Sequence, residues 1–516
     1  NKMNILKSSG IYSFFTLISR IFGFIRDIIF ANFLGTGFLA DVFYVAFRFP
    51  NTFRRIFSEG ALNSSFIPVY AKLLDQQDNK DANIFAGNVS VLLLITSGII
   101  VILAELFMPS FLSILAPGFL ENSDKFKSLV ITSRIIFPFL VLITMCSIYS
   151  AILNAHGKFA LSAAMPIILN IILILSVLAA SYFGKNILTI LSAGVIFAGI
   201  LQITILIFSL KQNKIKISFF KTFYKTGLQK FFKLFIPSLF SSGLLQINIL
   251  VGTIIASYQA SAVSYLYYAD RIYQLPLALI GIALGIGLLP ALSKKIKVGI
   301  KKEVFSLIEK TIIYALLLAV PSSVALFVIP DIIMEILFER GSFDEISTIS
   351  TAKALKYFSL GLVAFILTKI LTPIYFANER PKAPLVLGVL TVLINILLSV
   401  LLFKNYGYVG IAIATTISSW FNVVAMYLHL YFSGMFIHSK KIFLPIFVIT
   451  ISSSFIGLLL IFSALIYAKL IISNIIIQAI FLMLVILVSL LVYFLLISFY
   501  KPFSYGTLKL EFLKNE

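Results

Sequence analysis

Three stretches of this sequence place charged side chains inside otherwise apolar runs, and their residue types narrow the chemistry available to them. The first reads Ser19-Arg20-Ile21-Phe22-Gly23-Phe24-Ile25-Arg26-Asp27. The second runs from Ala40-Asp41 through Phe47-Arg48-Phe49-Pro50-Asn51 to Arg54-Arg55-Ile56-Phe57-Ser58-Glu59-Gly60. The third holds Asp270-Arg271, followed by Gln274 and Pro276. An arginine facing hydrocarbon costs about 2.5–3.5 kcal/mol, so these groups should face an aqueous cavity or one another. Arg26 with Asp27, and Arg55 with Glu59 at helical i,i+4 spacing, can pair. For them an intramembrane salt bridge tying helices together is as good a reading as a ligand site. Arg20, Arg54 and Arg271 outnumber the carboxylates near them. A surplus of guanidinium groups in a low-dielectric cavity suits a multiply charged anion, above all phosphate, which arginine holds bidentately. Lys369 is a further, weaker candidate.

Helical geometry sets conditions on this reading. Arg20 and Asp27 share a face, whereas Arg26 points about 120° away from Arg20, so it reaches the same space only by a bend, for which Gly23 gives the opportunity. Asn51, Arg54 and Ser58 form one stripe. Pro50 removes a helical donor and makes a hinge possible there. Asp27, Asp41, Arg55, Glu59 and Asp270 are candidates for gating or charge pairing.

Other chemistries find no support. Cys146 is the only cysteine, and His156, His429 and His438 are far apart without carboxylates or thiols at ligand spacing, so no metal site is expected. Gly281, Gly285 and Gly287 lack the Lys-Ser/Thr of a phosphate loop and read as helix-packing positions. No nucleophile–base pair, nucleotide fold or paired-carboxylate site is visible. The expectation is a protein that is not an enzyme and has no cofactor, with an ion gradient or the membrane potential as energy source.

The elements that must position these residues are membrane helices. Of 516 residues, 60% are hydrophobic and 12% charged, about half the charged share of a soluble domain. Mean hydropathy is +1.06. Apolar windows mark fourteen spans, at 9–34, 38–71, 84–108, 127–154, 160–183, 187–210, 232–257, 262–293, 304–330, 346–378, 383–403, 408–433, 442–468 and 472–500. The fold class is therefore an all-α polytopic membrane protein, since open sheet edges cannot satisfy their backbone in lipid. Lys2 and Lys7 precede a run with no small-residue cleavage site before it, so the first helix reads as retained. The net charge of +21 would by itself admit nucleic acid as partner. Sorted by place, the basic residues outside the spans favour one side by roughly four to one. That bias puts both termini in the cytoplasm and removes nucleic acid from consideration.

An internal repeat organises the spans. Pro68 and Lys72 recur as Pro290 and Lys294, and the segment Asn154, Lys158, Pro166, Asn170 resembles Asn378, Lys382, Pro384, Asn395. A six-helix repeat has even parity, so two parallel lobes are expected, a common transporter plan. The boundaries expected are an N-lobe at 1–210, a basic cytoplasmic linker at 211–231, a C-lobe at 232–433, an appended helix pair at 442–500 and a cytoplasmic tail at 501–516.

At these residues the chain resembles the MurJ/MviN family, lipid II flippases of the multidrug/oligosaccharidyl-lipid/polysaccharide exporter superfamily. The most specific stretch runs from Ala40-Asp41 to Phe66-Ile67-Pro68. Ala116-Pro117-Gly118-Phe119 and Tyr267-Tyr268-Ala269-Asp270-Arg271 support it. The resemblance implies alternating-access transport of an undecaprenyl-diphosphate-linked peptidoglycan precursor across the bacterial cytoplasmic (inner) membrane. It implies functional arginines at Arg20, Arg26, Arg54 and Arg271, carboxylates at Asp27, Asp41 and Glu59, and a tail groove between the last two spans. One departure is Gln274, where many members carry Glu. Sodium coupling is implied too, although span 11 offers Asn395 and no acidic residue. The expected partners are the lipid-linked diphosphate and membrane lipids, for a monomer with the cell-wall synthesis machinery as a further candidate. The rival reading is a cation-coupled drug or polysaccharide-lipid exporter of the same superfamily.

Overall fold

A computed structural model describes residues 2–74, 79–219, 224–282, 288, 292–296, 301–469 and 474–500, with side chains at these positions except 2–13, 58–60, 240–241, 244–245 and 281–282. Glu59 and Ser58 as side chains, Pro290, Gly285, Gly287 and the tail at 501–516 therefore lie outside the described residues.

The described chain is a succession of helices. They are α1 (Lys2–Leu34), α2 (Phe38–Arg54), α3 (Leu62–Leu74), α4 (Lys80–Leu106), α5 (Met108–Leu115), α6 (Ser123–Ile136), α7 (Phe139–Ala155), α8 (Phe159–Tyr182) and α9 (Ile187–Gln212). Then come α10 (Lys225–Ala256), α11 (Ala262–Pro276), α12 (Lys301–Val328), α13 (Pro330–Phe338), α14 (Glu345–Ala377), α15 (Lys382–Tyr406), α16 (Tyr408–Phe432), α17 (Phe443–Lys469) and α18 (Ile475–Ser498). Ten helical stretches among the described residues are long and apolar enough to cross a membrane. They correspond to spans 3–6 and 9–14. The described parts of spans 1, 2 and 8, which hold the intramembrane charges, are helical as well.

Three departures from simple rods matter for the site. Between α2 and α3, residues Arg55–Ala61 form a π-helical turn, so the second span is one helix with a widened turn just past Pro50. Leu277–Ile282 form a second π-helical turn directly after Pro276. The segment between the ninth and tenth spans contains α13, which starts at Pro330, a favoured first helical residue.

Helix starts follow a pattern. Side chains of Asn122, Asn186, Asp344 and Asn474 accept backbone N–H groups at the starts of α6, α9, α14 and α18. All four start even-numbered spans. The odd-numbered starts of α4, α10 and α12 open on Lys80, Lys225 and Lys301 instead. A cation there opposes the helix dipole by about 0.3–1 kcal/mol, so local helix energetics do not explain the lysines.

The described residues gather into two compact units. Unit 1 comprises 1–264 with 340–343, and unit 2 comprises 265–339 with 344–516. In unit 1 α1 packs along α8 and α2 against α6. Gly118 brings two segments of this unit together: its N–H donates to Ser257 Oγ at 3.1 Å, and a Cβ there would lie 2.2 Å from the Ser257 carbonyl oxygen. In unit 2 the appended pair α17 and α18 is tied to the lobe by polar side chains. Tyr493 Oη donates to the Leu317 carbonyl at 2.7 Å, and Tyr467 Oη donates to Glu335 on α13 at 2.8 Å. Burial raises the Glu335 carboxyl above its ordinary value, against the opposing effect of the Tyr467 bond.

Candidate functional site

In unit 1 the structure shows how several of the predicted charges are held. Arg26 is held. Its Nη2 and Nε reach Asp27 Oδ1 at 2.7 and 3.1 Å, and Nη1 donates to Asn170 Oδ1 at 3.0 Å. The guanidinium also lies 5.6 Å from the Phe30 ring centre. Asp27 is only 2% exposed and Arg26 9%. Asn170, from α8, is locked in turn by donating to the Ser19 carbonyl at 3.3 Å. α1 is helical on both sides of Gly23, so Arg26 reaches these partners from an unbroken helix. An adjacent, solvent-excluded ion pair needs such further hydrogen bonds to offset its desolvation.

Asp41 is held even more completely. It is fully buried, accepts Lys125 Nζ at 2.7 Å, and takes the backbone N–H groups of Ser261 and Ser264 at 3.1 and 2.9 Å. Ser264 Oγ in return accepts the N–H of Gly37 at 3.1 Å. Helix starts leave their first N–H groups without intrahelical partners. Here the start of α2 satisfies the residues that lead into α11, and the reverse. Lys125 also sits 4.0 Å above the Phe119 ring, within the Ala116–Phe119 motif.

Arg20 is different. It is exposed in the middle of α1 and makes no ion pair among the described residues. Arg54 and Arg55 flank the junction where α2 passes into the π-turn, both half-buried. Arg54 Nε donates to Asn51 Oδ1 at 3.1 Å, which joins two members of the predicted stripe. Pro50 lies one turn earlier. A π-turn adds a residue to the helical circuit and recurs at functional sites.

Unit 2 carries Asp270, Arg271 and Gln274 on α11. Arg271 Nη2 donates to Tyr267 Oη at 3.0 Å, and its guanidinium carbon lies 4.7 Å from the same ring centre. Gln274 Nε2 donates to Asp270 Oδ2, one turn away. A Glu at 274 would instead face Asp270 as a like charge at i,i+4. Lys369 is exposed along α14, and Lys356 Nζ lies 4.9 Å from the Phe327 ring centre.

Several of these partners went unseen in the sequence. A carboxylate as apolar in context as Asp41 calls for a cation, but nothing in the spacing selects Lys125. Asn170 was visible only as a repeat position, and Tyr267 only as part of a motif. Among the described residues no group of three His, Cys, Asp or Glu could hold a metal ion.

Comparison with known proteins places this arrangement. Residues 30–512 match the family model described as lipid II flippase MurJ. A probable lipid II flippase MurJ of Rhizobium tropici is 38% identical over 451 residues, covering 86% of this chain and 84% of the relative. One of Rickettsia prowazekii is 37% identical over 429 residues, covering 82% and 83%. Among solved structures, a lipid II flippase MurJ in an inward closed conformation superposes with a TM-score of 0.80 at 26% identity, covering 95% of this chain and 98% of that one. An inward-facing multidrug resistance MATE family transporter shares the fold, with a TM-score of 0.65 at 14% identity over 84% of this chain and 98% of that one. The chain is a multi-pass membrane transporter, not an enzyme, and it belongs to the MurJ family of lipid II flippases.

Proposed function

We propose that this protein translocates lipid II, an undecaprenyl-diphosphate-linked peptidoglycan precursor, from the inner to the outer leaflet by alternating access. The observation that carries the reading is Arg20, exposed in the middle of α1 without an ion pair among the described residues of a chain of the MurJ family. Arg26 is neutralised in place by Asp27, whereas Arg20 stands exposed in mid-helix, and Arg54 and Arg271 rest on the neutral oxygens of Asn51 and Tyr267. Guanidinium groups supply the fork geometry that a diphosphate takes bidentately. In this reading Arg20, Arg54 and Arg271 bind the headgroup, and Arg26 stiffens α1 beside them.

The π-turns after Arg54 and Pro276 are the bending points of their helices. Asp41, near the outer end of the second span, gates closure while the headgroup is taken up from inside. The polyprenyl tail runs beside α17 and α18. Both termini lie in the cytoplasm, as the lysine bias requires. The inside-negative membrane potential draws the empty, net-cationic site back inward. The protein works as a monomer.

Lipid II translocation into the outer leaflet of vesicles, scored by headgroup accessibility, tests the reading. Arg54→Ala and Arg271→Ala should each abolish translocation while the protein inserts and elutes normally. A double variant with full activity overturns the diphosphate role. Efflux of a cationic drug with no lipid II translocation would favour an exporter instead. Orientation is read separately: Cys146 is buried, so a cysteine placed at Lys216 should label from the cytoplasmic side alone.

A further inference from the structure

The ends of α14, α15 and α16 surround a cavity of about 440 Å³, lined by Glu379, Arg380, Pro381, Lys382, Ala383 and His429. It lies wholly within unit 2. The turn that shapes it is rigidly closed. Asn378 Nδ2 donates to the Ile374 carbonyl at 2.7 Å, the Arg380 N–H donates to the Tyr375 carbonyl at 2.9 Å, and Glu379 takes the left-handed conformation at φ 58°. The His429 ring stacks at a tilt on Tyr375, 5.5 Å between centres, which sets the opposite wall.

Charge and depth together indicate the occupant. Arg380, Lys382 and an imidazole face one carboxylate, and among the described residues neither Arg380 nor Lys382 makes an ion pair. The cavity sits where α14 ends, α15 begins and α16 is one turn from its end, which is headgroup depth for helices that cross a membrane. The first N–H groups of α15 add the positive end of a helix dipole. Away from the cavity the surface turns apolar: Phe376, Leu385, Val386 and Leu428 are exposed, and only 17% of the most apolar window of α15 is buried. The volume falls in the range of small-molecule sites.

We propose that this cavity binds the phosphate headgroup of an anionic membrane phospholipid, with Arg380 and Lys382 holding the phosphate and the acyl chains lying along α15. Basic pockets between membrane helices at the headgroup level take anionic lipids by this combination of charge and apolar flank. The site is separate from the arginines proposed for lipid II, so its test does not depend on transport.

The test is retention of phospholipid by the full chain purified in detergent, measured by native mass spectrometry after adding phosphatidylglycerol or phosphatidylcholine. Phosphatidylglycerol should be retained in preference. Arg380→Gln with Lys382→Gln should weaken its retention about twenty-five-fold, at roughly fivefold for each basic residue removed. Swapping the pair, Arg380→Lys with Lys382→Arg, should keep the lipid and so report an intact fold. Lys440→Gln with Lys441→Gln, a basic pair outside the cavity, should leave retention unchanged. Equal loss in both Gln pairs, equal retention of phosphatidylcholine, displacement by inorganic phosphate at the same concentration as by lipid, or full retention by the Arg380/Lys382 Gln variant would each overturn the proposal.

Discussion

The two π-helical turns invite direct comparison. One occupies Arg55–Ala61 in unit 1 and the other Leu277–Ile282 in unit 2. They begin 222 residues apart, the spacing that relates Pro68 to Pro290 and Lys72 to Lys294. Their contents differ sharply. The first contains Arg55 and Glu59 and directly follows Arg54. The second reads Leu-Ala-Leu-Ile-Gly-Ile, with its charges nearly two turns earlier at Asp270 and Arg271. Two turns of the same kind with unlike side chains show that the widened helix does not depend on the charges. Proline upstream of each, with its missing donor, is the shared physical cause at hand. The charges are then a separate layer, different in each lobe.

Substitutions can break or sharpen this contrast, and the largest effect is expected where the two helices begin. Asp41→Ala removes the acceptor of Lys125 and of two backbone N–H groups, leaving a buried ammonium uncompensated. A loss of about 3–5 kcal/mol is expected, read as the unfolding midpoint of the purified protein. An unchanged midpoint would mean that the starts of α2 and α11 do not depend on one carboxylate.

Asn170→Ala should cost less, about 1–3 kcal/mol, because Arg26 keeps Asp27 and loses one hydrogen bond. If it costs nothing, the holding of Arg26 rests on Asp27 alone.

Asp344→Ala tests a cap made locally rather than across the fold, and about 1 kcal/mol is expected. The bonds from Ser347 hold the Asp344 carboxyl below its ordinary 3.8. With the folded value depressed, this contribution is fully present above pH 3.8 and fades as pH falls through the depressed value. The difference in unfolding midpoint between parent and Asp344→Ala should therefore vanish in strong acid. A difference that persists there would place the effect elsewhere than the carboxylate.

The smallest effect is expected in unit 2. Gln274→Glu replaces a donor to Asp270 with a like charge, worth a few tenths of a kcal/mol at i,i+4 spacing. Stability should barely move, and any larger change in lipid II translocation would show that the carboxylate at 274 matters to transport rather than to folding.

Much of the fold was legible because the membrane leaves so few options. A window of about twenty apolar residues must be a helix, so the all-α membrane class and the strongly apolar spans could be read directly. The second span shows where this stops. Hydropathy marks 38–71 as one helix and Pro50 as a hinge, but no periodicity distinguishes an α-turn from the π-turn at 55–61. The same holds for the site. Arg20, Arg26, Arg54 and Arg271 stand out because each is costly in hydrocarbon, yet their types are identical. Only their neighbours separate them.

What the amino-acid sequence by itself determined is an inventory: an all-α membrane chain and a short set of charges that could not be there for lipid contact. Tertiary structure decided which of those charges are already satisfied. Asp27 and Asn170 approach Arg26 from the same helix and from one 144 residues away. Lys125 comes to Asp41 across 84 residues, and Ser264 across 223. A hydrogen bond needs its donor and acceptor within about 3 Å, and an ion pair gains most at contact. Whether a buried charge is a strut or a ligand group therefore depends on distances that chain spacing does not encode.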